Sequence, residues 1–129
     1  MATKFEELFR TYNCDSITDE QVKAGVDKLI SEHYSENDTG EVYKRCINLI
    51  GLASLKETDT EQEIRSMVQK VNDFEDNFPD IPNVGAICVY PSMVSTVRAT
   101  LTEPIGIASV SAGFPSSQTF IEVKIAETA

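Results

Sequence analysis

Apolar residues recur along this chain at two different periods, and the change of period divides it. After Asp19, which has the chemistry of an N-cap, Val22, Val26, Leu29 and Ile30 return at helical spacing. This predicts an amphipathic helix that ends near His33, ahead of a break from Asn37 to Gly40. A short helix before it, with Phe5 and Leu8 turned inward, and another from Glu41 towards Ile47 complete a helical N-terminus over residues 1–45.

From Ile47 onward the pattern alternates between apolar runs and helical stripes. INLIGLASL reads as a short buried strand whose boundary with the preceding helix the pattern does not fix. Thr58 and Glu61 have the spacing of a capping box, and Ile64, Met67, Val68 and Val71 then share one face of a helix reaching about Phe74. NFPDIPN is a loop by its prolines and asparagines. VGAICVY is a continuous apolar and β-branched run, as expected of a strand covered on both faces in a parallel sheet. Pro91 and Ser92 open a second helix with Val94, Val97 and Leu101 as its stripe, and Pro104 closes it. Ile105 to Ser111 reads as a third strand, and Gly113-Phe114-Pro115 turns the chain into a third helix. There Thr119 and Glu122 repeat the capping-box spacing, and Phe120, Val123 and Ala126 mark the inner face.

Strand, loop and helix thus repeat three times over residues 46–129. Such a repeat builds parallel strands through right-handed crossovers, so the fold class is α/β. Functional groups are expected where strands give way to loops, around Ser54 to Thr58, Tyr90 to Ser92 and Ala112 to Gln118. Neither GxGxxG after the first strand nor GxxxxGK[ST] occurs, so the usual nucleotide-binding signatures are missing.

Charge narrows the function classes further. Eleven basic against 21 acidic residues give a net charge of −10, which repels nucleic acid and anionic membrane surfaces. The acidity lies mainly between Glu6 and Asp80, which leaves the C-terminal third able to hold a small anion locally. Apolar runs are only a few residues long, and Lys4, Glu6 and Glu7 interrupt any signal-peptide core, so a soluble cytoplasmic protein is expected. Cys14, Cys46 and Cys88 lack the paired spacing of zinc, redox or disulfide sites. The sole histidine, His33, lies in the polar stretch SEHYSEND and reads as a surface residue; no metal or cofactor is expected.

Three stretches carry a resemblance: GLASLKETDTEQEI, GAICVYPSMV and GIASVSAGFPSSQTFIEVKIAETA. In order and spacing they resemble the first three βα units of deoxyribose-phosphate aldolases, class I lyases of deoxyribonucleotide catabolism built as a TIM barrel. The likeness runs from about Cys46 to Ala129, and the helical N-terminus resembles the extension of some bacterial members. The resemblance implies reversible cleavage of 2-deoxyribose 5-phosphate to glyceraldehyde 3-phosphate and acetaldehyde. In that chemistry a lysine on the sixth strand forms a Schiff base, a second lysine on the seventh lowers its pKa by like-charge repulsion, and an aspartate on the fourth assists proton transfer.

None of those three residues falls within three βα units, and a complete barrel takes about 250 residues. The resemblance therefore implies an incomplete barrel: a truncated gene product, a piece cut deliberately, or a chain whose remainder lies elsewhere. The family's first-strand pattern D-L-T-x-L also meets Gly51 at the aspartate and Ala53 at the threonine, so both polar groups are missing. What the resemblance leaves of the pocket is Cys88, Leu55 and Phe114; the ordinary alternative for Cys88 is a small buried hydrophobe. Lys124, on the third helix between Glu122 and Glu127, reads as a surface lysine, and Ser116 and Ser117 as a polar loop before a helix. Two functions follow as alternatives. One is the N-terminal portion of an aldolase, inactive by itself, whose partners would be a phosphorylated deoxy sugar and aldehydes. The other is a non-catalytic α/β fragment that associates with itself or another chain through an unpaired sheet edge.

Overall fold

The computed structural model describes residues 3–12 and 16–129, so Cys14 lies outside the described residues. The chain divides after Thr39 into two compact units.

The first unit contains α1 (Lys4–Thr11) and α2 (Asp19–Asn37), each started by a threonine. Thr3 and Glu6 exchange bonds across the first turn of α1, and Thr18 and Gln21 do the same for α2. The N-cap is therefore Thr18 and not Asp19, which becomes the first helical residue. A threonine hydroxyl there reaches the N–H of Gln21 while the glutamine side chain returns to the Thr18 N–H, which satisfies two orphan donors. Helix α2 also runs past His33 to Asn37, where the Asn37 side chain donates to the His33 carbonyl. Phe5 and Leu8, expected to face inward, are 73% and 55% exposed. Amphipathic spacing identified the stripe; it could not supply a surface to cover it.

The second unit begins with α3 (Gly40–Asn48) and continues as β1 (Gly51–Ala53), α4 (Glu61–Asn72), the one-turn α5 (Phe74–Asn77), β2 (Ala86–Val89), α6 (Val94–Thr100), β3 (Gly106–Ser109) and α7 (Ile121–Thr128). A 3₁₀ turn, Pro91–Met93, leads into α6. The strands form one parallel sheet in the order β1-β2-β3. The fold is mixed α/β. Only Gly51–Ala53 of the INLIGLASL run is strand, because Ile47 and Asn48 still belong to α3.

Register explains the two faces of this sheet. Leu52, Ile87 and Ile107 are aligned across it, and Gly51, Ala86 and Gly106 form the neighbouring row, as do Ala53, Cys88 and Ala108. Side chains alternate along a strand. One face therefore carries Leu52, Ile87, Val89 and Ile107, and it packs against α4 and α6. Ile87 and Val89 join Ile64, Val68 and Val71 of α4 and Val97 of α6 in the buried core, flanked by Met67, Val94 and Leu101. The helical stripes expected for α4 and α6 thus meet the sheet. The other face holds only glycine, alanine and Cys88, and none of these is fully buried. The expectation that VGAICVY is covered on both faces fails for this reason: its continuous apolar run conceals an alternation of large and small side chains.

Two asparagines tie the ends of the helices to neighbouring segments. Asn83, 4% exposed, donates from Nδ2 to the Val71 carbonyl at 2.8 Å, accepts from the Val84 N–H at 2.9 Å, and through its own carbonyl accepts from Asn48 Nδ2 at 3.1 Å. Asn72 brackets the end of α6, donating to the Thr100 carbonyl at 2.9 Å and accepting from the Thr102 N–H at 3.0 Å. Helix α6 therefore stops at Thr100, ahead of Pro104. A polar group as deep as Asn83 is retained only where its bonds are made, and it makes them; Asn72 is half-buried.

The capping box of α4 is Thr60 with Glu63, two residues beyond the expected Thr58 and Glu61. Thr60 donates to the Glu63 carboxylate from its hydroxyl at 2.8 Å and from its N–H at 2.9 Å. The hydroxyl bond, then the backbone bond, holds the Glu63 carboxyl below its ordinary value near 4.5. A carboxyl lowered in the folded state contributes stability above the unfolded value and loses it as pH falls through the folded one. In a carbon-13 titration Glu63 should therefore protonate below pH 4.5, and Thr60→Ala should bring it back towards that value. Equal titration in both proteins would remove the box as the cause.

Helix α7 begins after Phe120, without a side-chain cap, so the Thr119 and Glu122 box does not form. Phe120, Val123 and Ala126 are exposed and do not make the inner face expected of them.

Candidate cleft at the strand ends

The C-terminal ends of the three strands bring their following loops together. After β1, the Ser54 N–H continues the sheet to the Cys88 carbonyl at 3.1 Å. The Ser54 hydroxyl then donates to both oxygens of Asp59, at 2.9 and 2.8 Å, and the Lys56 N–H adds a bond to the same carboxylate at 3.0 Å. Asp59 closes this loop on itself. After β2, the Tyr90 hydroxyl donates to the Leu55 carbonyl at 3.1 Å and ties the second loop to the first.

The loop after β3 has a different backbone. Ala112, Gly113 and Ser117 all have positive φ, at 57°, 73° and 52°. A side chain at Gly113 would be strained by that conformation and would press on Thr119 Cγ2 at 3.2 Å. The Phe114-Pro115 bond is cis. The Ser117 N–H returns to the Gly113 carbonyl at 2.7 Å, and the Gly113 N–H donates to Glu127 Oε2 of α7 at 2.6 Å.

Together these loops enclose a cleft of about 430 Å³, with Lys56 and Asp59 from the first, Tyr90 from the second, Phe114 and Pro115 from the third, and Glu127 from α7. This volume suits a small molecule, and the lining by Lys56, Glu57, Asp59, Tyr90 and Glu127 suits a polar one. All three regions expected to gather function contribute to the lining.

The residues singled out from sequence divide between two places. Phe114 lines the cleft at 51% exposure, and Leu55 contributes the carbonyl that orients Tyr90. Cys88, half-buried, points with Ala53 and Gly51 to the small-residue face of the sheet. No heavy atom lies within 4 Å of where a Cβ on Gly51 would sit, so a longer side chain there would meet open space. Tyr90, which opens one of the expected loop regions, and Glu127 act through hydrogen bonds to backbone groups far along the chain that no local spacing announces, whereas Asp59 bonds within its own loop, to Ser54 and Lys56. Tyr90 alone left a signal, an aromatic hydroxyl at the end of a strand.

The remaining candidates are accounted for structurally. His33 is exposed, with Nδ1 2.6 Å from Glu36 Oε1. Lys124, expected as a surface lysine, is instead half-buried, because it lines a groove with Ala112, Ile121 and Ile125. The Ser117 hydroxyl donates to the Ala112 carbonyl at 3.3 Å and serves the loop itself. None of the three strands carries a lysine, and among the described residues no group of three or more His, Cys, Asp or Glu could hold a metal. No helix among them is long and apolar enough to cross a membrane. Compared with models of known protein families, the sequence matches none.

Proposed function

We propose that this chain is the N-terminal portion of a deoxyribose-phosphate aldolase barrel and is catalytically silent by itself. One observation carries the reading: three consecutive βα units lie in parallel order, helices cover one sheet face, and only small residues occupy the other. A sheet closing into a barrel turns one face inward, and small side chains there leave room for substrate. The cleft at the strand ends lies where barrel enzymes place their chemistry. The absent groups are equally specific. Gly51 and Ala53 stand where the aldolase pattern has an aspartate and a threonine, and no strand lysine is available to form the imine.

The chain incubated with 2-deoxyribose 5-phosphate and borohydride should keep its mass, with no reduced adduct. A trapped lysine, Lys56 at the cleft being the first to check, would overturn the silent assignment. A separately produced polypeptide carrying units four to eight of a deoxyribose-phosphate aldolase should form a soluble complex with this chain and trap the adduct on its own lysine. Failure to bind it would count against the barrel reading.

A second reading is favoured by the outer edge of β3, which is paired only on its β2 side among the described residues. Open edges template association. On this reading the chain is a non-catalytic fragment that assembles with itself or another chain. Sedimentation across a concentration series separates the two: growth of the particle without added partner supports self-assembly, and a constant monomer removes it.

A further inference from the structure

The positive φ values found among the described residues all fall in one segment, at Ala112, Gly113 and Ser117. Non-glycine residues occupy that region only where the surroundings enforce it. Most hydrogen bonds of the segment are internal: Phe114 N–H to the Ser111 carbonyl, Ser117 N–H to that of Gly113, Ser117 hydroxyl to that of Ala112. The bond from the Gly113 N–H to Glu127 differs. It joins residues fourteen apart in sequence, it is short at 2.6 Å, and its acceptor is a carboxylate on a regular helix. Hydrogen bonds to an ionised acceptor are shorter and stronger than neutral ones.

We propose that Glu127 is the positioning residue of this loop: its carboxylate anchors Gly113 and thereby holds Phe114 and Pro115 at the rim of the cleft. Gly113 supplies both parts of the device, a backbone that accepts positive φ and an N–H aimed at the helix. Phe114 follows directly, so freedom gained at Gly113 passes to the aromatic ring. Glu127 also lines the cleft, so the anchor lies at the opening it shapes. The inference concerns access to the cleft and holds whatever molecule enters, independently of the aldolase reading.

The sequence contains no tryptophan, so Phe114→Trp provides a single fluorescent reporter in the loop. On that background, Glu127→Ala should raise hydrogen exchange at the Gly113 amide about tenfold, and acrylamide should quench the introduced tryptophan more strongly. The amides of Ile87 and Val89 in the core should keep their protection. Glu127→Gln, which retains a carbonyl oxygen in place, should restore most of the protection. Glu127→Asp keeps the charge but is one methylene short, and it should behave like the alanine variant with the core intact. Glu122→Ala, on the same helix, should change neither reading. Unchanged exchange and quenching in both the alanine and aspartate variants would overturn the proposal. So would an equal effect from Glu122→Ala, which would indicate general loosening of α7.

Discussion

Ile87→Ala is expected to destabilise the sheet-containing unit by about 2 to 5 kcal/mol, the range for truncating a fully buried aliphatic side chain. Ile87 has no exposed surface and stands at the centre of β2, where Ile64, Val68, Val71 and Val97 converge. Removing it loses the transfer free energy of the side chain and leaves a cavity, because a regular sheet and two helices cannot collapse fully around one missing residue. Against a typical domain stability of about 5 to 15 kcal/mol, such a loss is large. In urea unfolding followed by circular dichroism, the midpoint should fall by about 1 M or more with little change in slope. Cys88→Ala, one residue along the same strand, is the internal comparison. Its side chain faces the small-residue side, so its cost should be well below that of Ile87→Ala. Comparable losses at both positions would mean that both faces of β2 are covered, contrary to the alternation described above.

Gly85→Ala should be the most damaging glycine substitution. A Cβ at Gly85 would run into the backbone carbonyl oxygen of Asn48, and the Ile50 carbonyl lies close behind. The backbone cannot yield cheaply, since the Gly85 N–H donates to the Ile50 carbonyl at 3.0 Å and the Gly85 carbonyl accepts from the Gly106 N–H at 3.1 Å. Overpacking of this kind costs about 1 to 3 kcal/mol, and more where main chain must part from main chain. Gly51→Ala, on β1, has open space instead and should be neutral or slightly stabilising, since alanine restricts the unfolded chain more than glycine does. Equal thermal midpoints for the two variants would rule out close approach as the reason for glycine at position 85.

These cases also show where the sequence was legible. The α/β class followed from the switch between periods, and the stripes Ile64, Val68, Val71 and Val97 were read correctly because helices bury them against a sheet. The distinction between the faces of β2 was harder. Alanine and cysteine count as apolar beside isoleucine and valine, yet they fill much less space. The N-caps moved by one or two residues: before α4 both Thr58 and Thr60 have capping chemistry and the geometry of the first turn selects Thr60, while before α2 it selects Thr18 over the adjacent Asp19. At the cleft, Phe114 was legible through its motif. Glu127 was not, since its partner is a backbone N–H fourteen positions earlier, exposed to it only by the turn at Gly113. For the stripes of α1 and α2, periodicity predicted helices correctly but gave no information about what would face them.

The order of the strands has a consequence for how the chain is made. Because β1, β2 and β3 lie side by side in the order in which they are synthesised, each new strand docks on one already present. Among the described residues, the buried core residues all lie from Ile64 to Val97. Once that stretch has left the ribosome, every fully buried side chain of the sheet unit is available, and β3 can be added to a finished hydrophobic seam. Each parallel pairing, Gly51 with Ala86 and then Ala86 with Gly106, still closes a long loop that contains a helix, so the strands dock slowly and one at a time. A nascent chain of this design can acquire its central layer during elongation, and lengthening at β3 would leave that layer undisturbed.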